Sequence, residues 1–264
     1  LVADGETLQT GPLPLPRLGP GESAGVTVPF ALPPCPMRDY WVELVFTLAA
    51  DTLWAQAGHE VAWAQALVRG ARVPPAAAVR APLETTDDAD TICCSGDGFT
   101  LLFDRHAGTL SRWIADGTDL VARGPLGQFW RAPTDNDGGR RGCGVQQEWR
   151  AHGLHALMTR IDSVGLARPS GGEAVVTVRA RLGGPAVKAG IDVTYTYTVL
   201  GSGEASLEFS GAPSGEWKTI WPRIGFALRL PAELERVQWY GLGPGESYSD
   251  SRDGVRLGHW SATV

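Results

Sequence analysis

The stretch IDVTYTYTVL, residues 191–200, alternates without a break. Ile191, Val193, Tyr195, Tyr197 and Val199 fall on one side of an extended chain, and Asp192, Thr194, Thr196 and Thr198 on the other. Successive side chains of a strand point to opposite faces, so this is a strand buried on one face and wet on the other. Its neighbours repeat the pattern. AVVTVRARL (174–182) and ASLEFSG (205–211) alternate likewise, and Gly201, Ser202 and Gly203 between two of the runs read as a hairpin turn. Working outward, RIGFALRL (223–230), ERVQWYG (235–241) and WVELVFTL (41–48) add further strands. Helical periodicity is confined to QQEWRAHGLHA (146–156), two or three turns interrupted by Gly153. The expected fold is all-β.

A linker divides the chain. Residues 71–83 lie in a run rich in Ala, Pro and Arg without alternation, which separates a portion 1–70 from a larger portion 84–264. The proline-rich PLPLPRLGPGES (12–23) fits a loop or an edge, not a central strand. The 264 residues, 43% of them hydrophobic, suffice for a buried core. A net charge of −6 with scattered Lys and Arg excludes a phosphate-tracking stripe, so no nucleic acid is expected. No apolar run approaches the roughly 18 residues that span a bilayer, so no membrane partner is expected. Cys35, Cys93, Cys94 and Cys143 show no CxxC spacing, and adjacent Cys93 and Cys94 point apart on a strand. Free, mostly buried thiols and a cytoplasmic setting follow.

Two polar constellations stand out. QFWRAPTDNDGG (128–139) sets Trp130 and Arg131 before Asp135, Asn136 and Asp137. Arginine, aspartate and asparagine supply the paired hydrogen bonds that sugar hydroxyls take. The same residues also make a structural knot, with Arg131 pairing an Asp and the Asx–Gly cluster turning the chain, and this reading is placed first. WYGLGPGESYSDSR (239–252) follows three glycines with Glu246, Tyr248, Asp250 and Arg252, every second residue, which share a face if extended. An Arg–carboxylate brace around the loop is the structural reading there. Neither Asp135 with Asp137 nor Glu246 with Asp250 is marked as the pair that glycoside hydrolysis with retention requires. Ten tryptophans suit sugar stacking, but in a β-rich chain they serve first as core anchors.

The string QFWRAPTDNDGG resembles a hallmark of the small-chain region of the large bacterial β-galactosidases of glycoside hydrolase family 2. DTLWAQAGHEVAWAQALV (51–68) is similar to the end of that family's fourth domain. FTLLFDRHAGTLSRWIADGTDLV (99–121) is similar to the opening of the fifth, and RIGFALRLP (223–231) and WYGLGPGESYSDSR to later parts of it. The resemblance implies a partial immunoglobulin-like sandwich over 1–70 and a truncated galactose-mutarotase-like supersandwich over 84–264. It implies a non-catalytic C-terminal region that supports a barrel and subunit assembly in a homo-oligomer hydrolysing β-galactosides. Catalytic glutamates, magnesium ligands and sodium ligands would all belong to that barrel, so no catalytic, cofactor or metal residue is assigned to this chain. A stand-alone carbohydrate-binding module and a mutarotase-like epimerase are the alternatives.

Overall fold

A computed structural model of the chain describes residues 1–72, 81–139, 144–170 and 172–264. It is built of antiparallel strands in two compact units, one formed by residues 1–76 with 234–264 and the other by 77–233. In the first unit β1 (Val2–Ala3), β2 (Glu6–Thr7), β3 (Tyr40–Thr47) and β4 (Glu60–Arg69) form a sheet in the order β2-β1-β3-β4. Tyr40, Val42, Val2 and Ala3 are buried there. The proline-rich stretch carries no strand. Proline offers no N–H to a ladder, which explains why.

The second unit holds the main core. β5 (Glu84–Asp87), β6 (Thr91–Gly96), β7 (Phe99–Asp104), β8 (Thr109–Ala115) and β9 (Thr118–Val121) make a five-stranded meander. β10 (Arg123–Gln128) is followed by two short helices, α1 (Asp135–Gly138) and α2 (Val145–Ala151). β11 (Met158–Ser170), β12 (Glu173–Gly183), β13 (Gly190–Leu200) and β14 (Ala205–Ser214) form a four-stranded meander. β15 (Gly225–Arg229) pairs with β10. Ile92, Leu101 and Phe103 of the first meander pack with Val176, Val178, Tyr195 and Tyr197 of the second in one cluster. The unit is therefore a sandwich, with the alternating faces of both sheets turned inward.

The opening stretch behaves as its alternation requires. Ile191, Val193, Tyr195, Tyr197 and Val199 are all buried. The Tyr195 hydroxyl accepts a hydrogen bond from the Gly127 backbone N–H at 2.9 Å, tying β13 to the end of β10. Burial raises the Tyr195 hydroxyl above its usual range, and pushes that of Tyr197 up to about 12. The helix expected over 146–156 is α2, ended at Gly153 and followed by a single 3₁₀ turn, Leu154–Ala156. Gly153 stands at φ +71°, a conformation that favours glycine. The strand expected over 223–230 is shorter, because its partner β10 stops at Gln128. There the Gln128 side chain accepts from the N–H groups of Phe129 and Trp130 and turns the chain away.

The first unit is completed by β16 (Arg236–Gly243) and β17 (Arg256–Thr263). The span 84–264 expected as one domain thus contributes to both compact units. The cause is local. The Gln65 amide brackets Leu257, donating to its carbonyl at 2.8 Å and accepting from its N–H at 2.9 Å, and Arg256 pairs with Glu60. Most of the linker expected at 71–83 lies outside the described residues, as does Cys143. Cys94 is buried, and its thiol is pushed up to about 11 by burial. Cys35 is exposed and Cys93 intermediate, so the thiols are less uniformly buried than expected.

Candidate functional site

The 128–139 constellation is built at the end of β10. After Gln128 the chain leaves the sheet and Phe129 enters the core, meeting Trp221 edge-on at 5.1 Å. Thr134 precedes α1 and its carbonyl accepts from the Asp137 N–H at 3.1 Å. Asp137 points back. Its carboxylate accepts from the Thr134 N–H at 2.7 Å and from the Thr134 hydroxyl at 3.0 Å. The Arg131 guanidinium donates to both oxygens of the same carboxylate, at 2.6 and 3.1 Å. This two-pronged pairing is the strong form of a charge-assisted hydrogen bond. Asp137 is buried, with only 11% of its side chain exposed. The Arg131 hydrogen bonds, helped by Thr134, outweigh the cost of burial and hold the carboxyl down at about 2.

Aromatic rings hold the cation from the other side. The Arg131 guanidinium lies 5.1 Å from the centre of the buried Trp149 ring, within cation–π range. Trp130 meets Trp149 edge-on at 6.2 Å, carries the Arg150 guanidinium at 5.5 Å and has His155 at 5.8 Å. Gly144 closes the segment, its N–H donating to the Gly138 carbonyl at 3.1 Å. A Cβ at Gly144 would overlap the Asp137 carbonyl oxygen, so the close approach requires glycine. A hollow of about 500 Å³ adjoins Trp130, lined also by Gln128, His155, Arg123 and Met158.

Of the residues singled out by sequence, Trp130, Arg131 and Asp137 come together. Asp135 and Asn136 lie on the exposed side of α1. The carboxylate that pairs with Arg131 is therefore Asp137. Three partners escaped the sequence reading: Thr134, Trp149 and Arg150. Thr134 had a signal, since a threonine three residues before a side-chain acceptor is a helix-start pattern. Trp149 lay within the recognised helical stretch. His152 and His155 diverge at Gly153: His152 stacks on Trp217 at 5.2 Å while His155 faces Trp130.

The 239–252 constellation is corrected. Glu246, Tyr248, Asp250 and Arg252 do not share a strand face. β16 ends at Gly243, and the chain turns so that the Tyr248 carbonyl accepts from the N–H groups of Ser251 and Arg252 at 2.9 and 2.8 Å. Residues Arg252–Gly254 form a 3₁₀ turn. Glu246, Asp250 and Arg252 are exposed, and among the described residues neither acid pairs with Arg252, so no Arg–carboxylate brace surrounds this loop. In the preceding segment indoles make the side-chain ties, with Trp239 donating to the Leu242 carbonyl and Trp260 to that of Gly241, each at 3.1 Å.

Residues 95–264 match the family described as Beta galactosidase small chain, and residues 1–69 match Beta-galactosidase, domain 4. The chain belongs to the β-galactosidase family. It is 31% identical over 220 residues to the Beta-galactosidase of Priestia megaterium, an alignment covering 83% of this chain and 20% of that protein. It is 32% identical over 272 residues to the Beta-galactosidase of Lactobacillus delbrueckii subsp. bulgaricus, covering all of this chain and 25% of that protein. With the Kluyveromyces lactis Beta-galactosidase it shares 28% identity, over 98% of this chain and 24% of the relative. The chain thus spans a fifth to a quarter of the length of these curated relatives. The small-chain match runs through both compact units. Among the described residues no three His, Cys, Asp or Glu side chains gather where a metal could be held, and no helix is long and apolar enough to cross a membrane.

Proposed function

We propose that the chain is a supporting, non-hydrolysing C-terminal region of a retaining β-galactosidase that acts on terminal β-D-galactosides such as lactose. The observation that carries this is the engagement of Asp137. Of the acids in the family-like 128–139 motif, it is the buried one, and its oxygens are taken up by Arg131 and Thr134. A carboxyl held near 2 is a poor general acid at neutral pH, because it gives up its proton far below the working range. Asp135 is exposed and has no comparable setting. On this reading the glutamate nucleophile and acid/base lie elsewhere in the longer protein, about 5–5.5 Å apart, as retention requires. Magnesium and sodium belong with them, the protein is a cytoplasmic homo-oligomer, and this region braces the barrel and subunit contacts.

The test compares the full-length protein with residues 1–264 on 4-nitrophenyl β-D-galactoside. The full-length protein hydrolyses it, and NMR of the first-formed sugar finds the β-anomer. Residues 1–264 give no turnover. Turnover by purified 1–264 that disappears when one of its own carboxylates is replaced sinks the proposal. Chelation of divalent metal lowers the activity of the full-length protein and leaves the melting of 1–264 unchanged.

A further inference from the structure

The hollow of about 500 Å³ beside Trp130 follows from the register of β10 on β15. Leu126 and Gln128 of β10 stand opposite Ala227 and Gly225 of β15. Directly opposed residues share a face, so small residues at alternate positions of β15 leave room beside Leu126 and Gln128. A Cβ added at Gly225 would meet nothing within 4 Å. Trp130, Leu126 and Leu182 give the hollow apolar surface, and Arg123 and Gln128 give it donors. Its lining includes no Asp or Glu. The volume falls within the range of small-molecule sites.

The donors of this hollow are unspent. The Gln128 carbonyl oxygen accepts from the N–H groups of Phe129 and Trp130 at 3.1 and 3.3 Å, which fixes the amide and turns its NH2 group away from them. Among the described residues nothing accepts from that NH2 group. Nor does any acid pair with Arg123 among the described residues. Arg229 stands directly opposite Arg123 across the ladder, likewise without an acid. Like charges directly opposed across a ladder repel, so an anion placed between the two gains from both. The other cation at the rim is matched, since His106 pairs with Asp90 at 2.8 Å. Unmatched positive charge thus gathers here on a chain whose net charge is −6.

We infer that this hollow binds a sugar that carries an anionic group, a phosphate or a carboxylate. The anion lies on Arg123 and Arg229, because a guanidinium pairs with either group through two parallel hydrogen bonds. The sugar ring fills the hollow, its C–H face on the apolar lining and a hydroxyl accepting from the Gln128 amide. Each half excludes a simpler ligand. A neutral sugar leaves the arginines unmatched, and a bare inorganic anion leaves the apolar lining and the Gln128 donors unused. The site is built from this chain's own residues; only the choice of galactose derivatives as probes rests on the β-galactosidase reading.

The test is calorimetric titration of the chain, and of the full-length protein, with galactose 6-phosphate, galacturonate, galactose and inorganic phosphate. At least one of the two anionic sugars binds both proteins with a Kd of about 1 mM or tighter, and the tighter of them tells phosphate from carboxylate. Galactose and inorganic phosphate bind about tenfold more weakly or worse. Arg123→Gln weakens the anionic sugar by about tenfold or more and brings it toward galactose. Arg123 is exposed, so melting of this variant stays unchanged and separates lost binding from lost folding. Gln128→Glu keeps the acceptor for the Phe129 and Trp130 N–H groups, replaces the NH2 donors by an anionic oxygen, and abolishes binding. The inference is overturned if neither anionic sugar binds, if inorganic phosphate or galactose binds as tightly, or if both variants bind as the parent does. Binding by the chain that is lost in the full-length protein also overturns it, because the hollow is then a covered surface. These readouts are independent of hydrolysis: a full-length protein that binds the anionic sugar and cleaves no galactoside refutes the functional reading alone, and the reverse result refutes this site alone.

Discussion

Replacing Asp137 by Asn keeps the shape of the 131–137 brace and removes its charge. The expected loss can be worked from the carboxyl itself. Moving a carboxyl from an ordinary 3.8 to about 2 corresponds to roughly 2.5 kcal/mol at 1.36 kcal/mol per pH unit. The pair lies close under the surface, with Arg131 a quarter exposed, so solvent screening reduces this to about 1–2 kcal/mol. The sign follows from a depressed folded-state value. The unfolded chain takes up the proton first, so the contribution is complete above about pH 5 and fades as pH falls through 3 toward 2, with about half left at pH 3. Urea unfolding followed by tryptophan fluorescence measures it, since Trp149 and Trp130 sit beside the brace. At pH 7 the Asn variant should unfold with about 1–2 kcal/mol less stability, and the gap should narrow to about half at pH 3. A difference that stays constant from pH 7 to pH 3, or is under about 0.5 kcal/mol at pH 7, would refute the charge-assisted account and reduce the brace to packing.

Other outcomes follow from the same contacts. Tyr195→Phe leaves the Gly127 N–H without its acceptor and should cost about 1–2 kcal/mol in the same urea assay, with the strand content unchanged by circular dichroism. Gln65→Ala removes both hydrogen bonds to Leu257 and should speed amide exchange in β17 without touching β11–β14. Gly144→Ala forces a Cβ against the α1 carbonyls and should destabilise by about 1–3 kcal/mol, an effect larger than that of an alanine at exposed Asn136.

The strands were legible because their cause is local. In β13 every second residue is β-branched, aromatic or aliphatic, and each of those is buried. The 128–139 brace was legible in kind: an arginine before clustered Asx residues reads as a knot. Which aspartate closes it was not, because that depends on α1 turning Asp137 inward and leaving Asp135 outward. Its aromatic half was hidden, since Trp149 arrives from a separate helix. The 239–252 loop misled because period-2 polarity was read as strand where turn chemistry governs. Gly, Pro, Ser and Asp favour bends, and once the chain bends at 248–252, alternate residues no longer share a face. The grouping of β16 and β17 with the first unit rests on Gln65 and Leu257, which lie 192 positions apart, a separation no periodicity encodes.

β14, the last strand of its four-stranded meander, sharpens what alternation can and cannot convey. ASLEFSG and IDVTYTYTVL carry the same signal, apolar residues at every second position, and each strand does turn those residues to one face. Period-2 patterning reports which face is meant to be covered, and says nothing about whether the cover lies within the same stretch of chain. In β13 the cover is present, supplied by β7 and its neighbours, and the residues are buried. In β14 and β15 the pattern is equally good and burial falls short. Leu207 and Phe209 are half-buried and Phe226 and Leu228 exposed, so alternation assigns the face, and only the opposing layer decides whether that face is covered.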